Sequence, residues 1–139
     1  MKRILAICIL LSCSLIMMRA QTDVVSLSDD AFRPAASSEA QVVAGKARFT
    51  VLTPRLIRME WAADGNFEDR ATLGVVNRDL EVPSFDVKKS KSKVVIKTSG
   101  LTLTYIGQER FSDQNLKVSF TMTDPKSRKG VKTVVWNPG

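Results

Sequence analysis

The run Asp64-Gly65-Asn66-Phe67-Glu68-Asp69 places three acids and an amide within six residues, and hard cations such as calcium favour oxygen clusters of this kind. The spacing does not fit the helix-flanked calcium loop, which needs Gly at its sixth position and Glu at its twelfth. Those positions hold Asp69 and Val75. Asp64-Gly65 is a turn signal, so the run is expected to be a surface turn, with no metal. Paired carboxylates cleave glycosides when two of them face each other across a pocket. The spacing here singles out no pair, and no catalytic residue is assigned. Trp61, Phe67, Tyr105 and Trp136 are aromatic rings that could stack on sugars. Trp61 follows a strand alternation and is expected in the core. Trp136, beside Asn137-Pro138-Gly139, is the candidate for substrate binding. The basic run Lys88, Lys89, Lys91 and Lys93 is expected to be a solvated hairpin tip that keeps a sheet edge from aggregating.

The chain has no histidine, which removes imidazole as general base, metal ligand and partner for a nucleophile. Its two cysteines, Cys8 and Cys13, lie in an amino-terminal apolar run. With neither histidine nor cysteine in the rest of the chain, zinc and triad chemistries are all but excluded there, and no cofactor is expected. Met1-Lys2-Arg3 followed by Ile4 to Met18 and Arg19-Ala20 has the charged head and apolar stretch of a signal peptide. The stretch is about 15 residues, short of the roughly 20 that span a bilayer. Residues 1–20 are expected to leave on export, giving a periplasmic or secreted chain with no membrane span and no disulfide. Leu10-Leu11-Ser12-Cys13 loosely resembles a lipobox that would anchor Cys13, but the apolar run continues past it. The net charge of +7 falls to +4 once Lys2, Arg3 and Arg19 are removed. That excess needs only a solvated surface, and no nucleic-acid partner is expected.

The elements that must carry these residues read as strands. Residues 21–41 are rich in Ser, Ala and Asp with Pro34 among them, and are expected to be a linker or loosely ordered lead-in. From Val42 the hydrophobic period is two: Phe49 and Val51 alternate with Arg48 and Thr50, and Ile57, Met59 and Trp61 with Arg58 and Glu60. Both are expected as half-buried strands, separated by a bend at Pro54. The pattern returns in Val94 to Lys97, in Leu101, Leu103 and Tyr105, in Val118, Phe120 and Met122, and in Val131 to Trp136. Ser99-Gly100, Asp124-Pro125 and Gly130 supply the turns. Short strands at this spacing, with no amphipathic helix, predict an all-β, antiparallel β-sandwich.

Arg48 to Trp61 resembles the early strand pair of family 31 glycoside hydrolases, the α-glucosidase and α-xylosidase group. The likeness continues through Asp64 to Thr72, Val76-Asn77-Arg78, and Trp136-Asn137-Pro138-Gly139. The resemblance implies a galactose-mutarotase-like sandwich over 42–139, truncated and incomplete at Gly139, at the start of an exported α-glycosidase acting on oligosaccharides. Its partner would be the catalytic barrel of the parent enzyme. The family's catalytic aspartates lie on that barrel and match no position here, so this chain is expected to be inactive alone. The alternative is a free-standing periplasmic or surface carbohydrate-binding module.

Overall fold

The computed structural model describes Phe32–Gly139 with the exception of Ser127. The expected leader with Cys8 and Cys13, and residues 21–31 of the lead-in, lie outside the described residues. Those described form eight strands. A three-stranded sheet is built from β1 (Gln41–Ala44), β2 (Ala47–Thr53) and β3 (Leu56–Trp61), and a five-stranded sheet from β4 (Phe85–Lys89), β5 (Lys93–Thr98), β6 (Thr102–Ile106), β7 (Leu116–Thr123) and β8 (Val131–Trp136). Every pairing is antiparallel and joins neighbours in sequence. The described residues thus form two meanders joined by the segment 62–84.

The inner faces of the two sheets share one core, and the fold is the all-β sandwich that the period of two predicts. Phe49 and Val51 of β2 meet Val94, Ile96, Leu103, Tyr105 and Leu116 of the larger sheet. These positions alternate along their strands because successive side chains point to opposite faces. Phe49, Tyr105 and Phe111 form an aromatic triangle, with Phe49 and Tyr105 centroids 5.5 Å apart and Tyr105 edge-on to Phe111 at 5.4 Å. Such tilted geometries bring ring edges to ring faces. The buried Tyr105 hydroxyl donates to the Glu109 carbonyl at 2.5 Å.

The sheets are also pinned together at one end. The Thr98 hydroxyl, at the end of β5, donates to the Pro54 carbonyl in the turn between β2 and β3 at 2.5 Å. It also accepts from the N–H groups of Gly100 and Leu101. A Cβ on Gly100 would stand 2.5 Å from that Pro54 oxygen, so the two hairpins approach this closely only because residue 100 has no side chain.

Three details depart from the sequence reading. The folded unit starts before Val42: the Arg33 N–H donates to Asn77 at 2.7 Å, a 3-10 turn spans Ser38–Ala40, and Ala40 is buried. β2 is not half-buried but covered on both faces, since Arg48 and Thr50, which point away from the core, are also buried. β4 adds an edge strand over Phe85–Lys89 whose alternation is masked by Asp86, Lys88 and Lys89. The lysine run does form the β4–β5 hairpin, closed by the Ser90 N–H donating to the Lys93 carbonyl at 2.8 Å.

Gly100→Ala should therefore lower stability by about 1–3 kcal/mol, the cost of forcing an extra methyl into a packed contact. Gly74→Ala, where a Cβ would meet nothing within 4 Å, should leave the urea midpoint unchanged. Equal midpoints for the two variants would show that the close approach does not constrain the fold.

A candidate binding groove and a guanidinium staple

The five-stranded sheet is wider than the three-stranded one, and the surplus leaves part of its inner face uncovered. Ile96, Leu103, Val118 and Trp136 occupy one register row across β5 to β8. Ile96 and Leu103 are fully buried, Val118 is half-buried, and Trp136 is 46% exposed. Along β7 the same gradient runs from buried Leu116 to Phe120, 36% exposed, and Met122, 51% exposed. The cover therefore ends over β7. Between the β3 edge and this bare face lies a groove of about 670 Å³, walled by Leu56, Ile57 and Met59 on one side and by Val118, Phe120, Met122 and Trp136 on the other.

Among the described residues Arg55 is the one ionisable side chain lining the groove, with Thr121 and Thr123 as neutral polar neighbours. General acid–base chemistry requires a proton donor or acceptor that titrates near the working pH, and an arginine is charged throughout that range. Trp136, the sequence candidate, does line the groove. The other aromatics do not: Tyr105 is in the core, Trp61 packs against the core with its indole N–H donating to the Gln108 carbonyl at 3.0 Å, and the Phe67 ring lies 4.8 Å from the Arg48 guanidinium.

The chain's other polar concentration lies on the opposite face of the small sheet. Arg48 Nε donates to Glu60 Oε2 at 2.8 Å, and its other nitrogens reach Asp69 at 2.7 Å and the Glu68 carbonyl at 3.1 Å. Arg58 pairs with the same Glu60 oxygen and donates to the Glu68 carbonyl at 3.0 Å. Arg78, 2% exposed, donates to the carbonyls of Pro34, Glu68 and Arg70 at 3.0, 3.3 and 2.9 Å. Three guanidinium groups thus converge on a single backbone oxygen, and Glu60 Oε1 accepts the Glu68 N–H at 3.2 Å. Burial opposes the charge on Arg48, but its hydrogen bonds to Glu60 and Asp69 outweigh that and raise its pKa above the ordinary arginine value. For Arg58, burial outweighs the attraction of Glu60, and the neighbouring Arg78 and Arg48 lower its pKa further.

The acids that the sequence left open each have a partner, and only Asp69 joins this cluster. Asp64 is the acceptor of an Asx turn with Asn66 at 3.0 Å, Glu68 grips Arg70 at 2.6 Å, and Asp69 faces Arg48. The three carboxylates point to three different partners, and among the described residues no group of three or more His, Cys, Asp or Glu could hold a metal ion. The Arg48–Glu60 cross-strand pair is legible in hindsight, because the two residues are register partners on adjacent strands. Arg78, from a loop, carries no such signal. Among the described residues no helix is long and apolar enough to cross a membrane. Models of known protein families give no match to the chain, and comparison with curated proteins gives none either.

Glu60→Gln leaves two crowded guanidinium groups without their shared carboxylate, and should destabilise by about 2–4 kcal/mol in urea unfolding. The exposed Glu68 carboxyl is held at about 2 by the Arg70 side chain first and the Arg70 backbone N–H second. Its folded value is depressed below the ordinary 4.5, so its stabilising contribution is complete above pH 4.5 and fades as the pH falls toward 2. A carboxyl-carbon NMR titration should give that low midpoint, and Arg70→Ala should return it toward 4.5. An unshifted midpoint in the parent chain would show that the Glu68–Arg70 pair does not persist in solution.

Proposed function

We propose that this chain is the amino-terminal, galactose-mutarotase-like sandwich of an exported family 31 glycoside hydrolase. It is a non-catalytic domain that supports an oligosaccharide-cleaving barrel. The observation that carries this reading is the bare inner face of β7 and β8 next to Trp136-Asn137-Pro138-Gly139, in a chain whose run from Arg48 to Thr72 resembles that family. Half-exposed Phe120, Met122 and Trp136 beside Leu56 are what a domain presents where further strands or a neighbouring domain cover it. The reading also gives the staple a purpose. By fixing the segment 62–84 against the small sheet it leaves the groove side as the face open for packing. The parent acts in the periplasm or outside the cell.

The second reading, a free-standing carbohydrate-binding module, draws on one specific feature. Trp136 stands half-exposed in a groove whose lining also includes Arg55, Thr121 and Thr123, and a half-exposed tryptophan face suits a sugar ring.

The two readings part in one set of measurements. Under the first, the open reading frame runs on past Gly139 into a barrel, the full parent releases aglycone from aryl α-glucosides or α-xylosides, and this chain alone releases none. Under the second, malto- and xylo-oligosaccharides quench the tryptophan fluorescence of this chain, and Trp136→Ala abolishes the quenching. A stop codon after Gly139 together with saturable quenching would overturn the first reading.

A further inference from the structure

The positive charge of the described residues is segregated. Residues 32–84 carry seven Lys and Arg against seven Asp and Glu, whereas residues 85–139 carry eleven against four. All of the excess belongs to the five-stranded sheet and its loops, and the register shows where on that sheet it lies. Lys88 of β4 pairs with Val95 of β5, Val95 with Thr104 of β6, and Thr104 with Lys117 of β7. Lys93 and Lys97 flank Val95 on β5, two residues to either side and therefore on the same face. This is the outer face, because Val94 and Ile96 between them are buried in the core. Lys89, from the same run, points the other way and its Nζ donates to the Val43 carbonyl at 2.7 Å.

Four exposed lysines thus ring a half-buried centre of Val95 and Thr104. Strands about 4.8 Å apart put Lys88 and Lys117 about 14 Å from each other, and four residues of β5 put Lys93 and Lys97 about as far apart. Among the described residues none of the four forms an ion pair, and Asp86 is the single acid in these rows. No strand or helix described here packs over this face. Leaving four like charges this close is unfavourable by itself, and a polyanion laid across them releases its counterions and removes the repulsion.

We infer that this outer face docks an acidic polysaccharide, a site separate from the groove and independent of the family reading. The side chains choose among polyanions. Single-stranded nucleic acid is held by stacking on aromatic rings or guanidinium planes, and the outward-facing rows around Val95 contain no Phe, Tyr, Trp or Arg. An anionic bilayer is gripped by large apolar side chains that enter the interface, whereas the centre of this face is Thr102, Thr104, Ser119 and half-buried Val95, its exposed apolar residues, Ile106 beside Lys93 and Val135 and Val131 on β8, lying at the margins. Ammonium groups spaced around threonine and serine hydroxyls, on a flat sheet, match a chain of carboxylated and hydroxylated sugars.

The probe is polygalacturonate, with dextran as the neutral control, titrated into the full-length chain at 50 and 200 mM salt. The expected result is binding of polygalacturonate alone, weakening steeply with salt. Lys97→Glu/Lys117→Glu should lower the affinity about tenfold or more and reduce the log–log salt slope by roughly one to two. Lys126→Glu/Lys132→Glu, which removes the same charge away from the face, should bind as the parent does. Loss of binding in both double variants alike would overturn the site in favour of diffuse charge. Tighter binding to an oligonucleotide or to phosphatidylglycerol vesicles than to polygalacturonate would overturn the partner, and no binding to any of them would overturn both.

Discussion

The backbone carbonyl of Glu68 is the point on which the small sheet depends. A carbonyl oxygen offers two lone pairs, and here three guanidinium groups are directed at it, with the Glu60 carboxylate set between two of them. Arg48 and Arg58 project from adjacent strands while Arg78 returns from the end of the crossing segment. The oxygen therefore ties two strands and a loop to one spot. Buried charges are tolerated only when their hydrogen-bonding capacity is used, and nearly all of it is used here. The exception is Arg78 Nε, buried without a partner, in the one arginine of the three whose contacts are all to carbonyls. Three cations face two nearby carboxylates, Glu60 and Asp69. That imbalance makes the carbonyl dipoles indispensable, since without them the third cation has no compensation.

Covering the outer face of the three-stranded sheet settles which surfaces remain. A three-stranded sheet with one wet face would contribute one buried layer. With the segment 62–84 and the lead-in from Phe32 strapped over it, β2 becomes a strand buried on both sides, of the sort more often met in sheets covered on both faces. The larger sheet receives no such strap. Its inner face is covered as far as β7 and its outer face is bare, so the bare wall of the groove and the lysine face belong to the same five strands.

Much of this was legible in the amino-acid order, and the failures share a cause. Alternation in Phe49-Val51, Ile57-Met59-Trp61 and Val118-Phe120-Met122 located strands because each has one apolar inner face. Trp136 was separable from Trp61 because it ends a strand beside a Pro-Gly terminus. What alternation cannot register is burial of a polar side chain against a distant loop. Arg48 and Thr50 read as the solvent side of a strand, and only the return of Glu68 and Arg78, 20 and 30 residues later, buries them. The lead-in failed in the same way: Ser, Ala and Pro supply few large side chains, yet their backbone groups bond Asn77 and Arg78 across more than 40 residues. β4 was hidden because a strand at a sheet edge needs few core-facing residues, and lysines along its length serve to keep that edge solvated.

The two open surfaces share strands, which puts a demand on register. On β7, Val118, Phe120 and Met122 face the groove while Lys117 and Ser119 face outward, and a slip of one residue would exchange an apolar wall for a polar one. For β7 the pairing with β6 prevents this, because Leu116 opposite Tyr105 is locked in the core. β8 has no equivalent anchor. Its outward Val131 and Val135 are as apolar as its inward Val134 and Trp136, so hydrophobic burial barely distinguishes the two registers. What selects one is the turn: Gly130 at a positive φ of 68° and the Asp124 N–H bonded to the Gly130 carbonyl at 3.0 Å fix the point from which β8 starts. Trp136, six residues beyond, reaches the groove only because that turn sets its phase. An occupant of the groove that packs on the indole would bind the correct register and not the slipped one, so filling the groove and ordering the edge strand are one equilibrium seen from two sides.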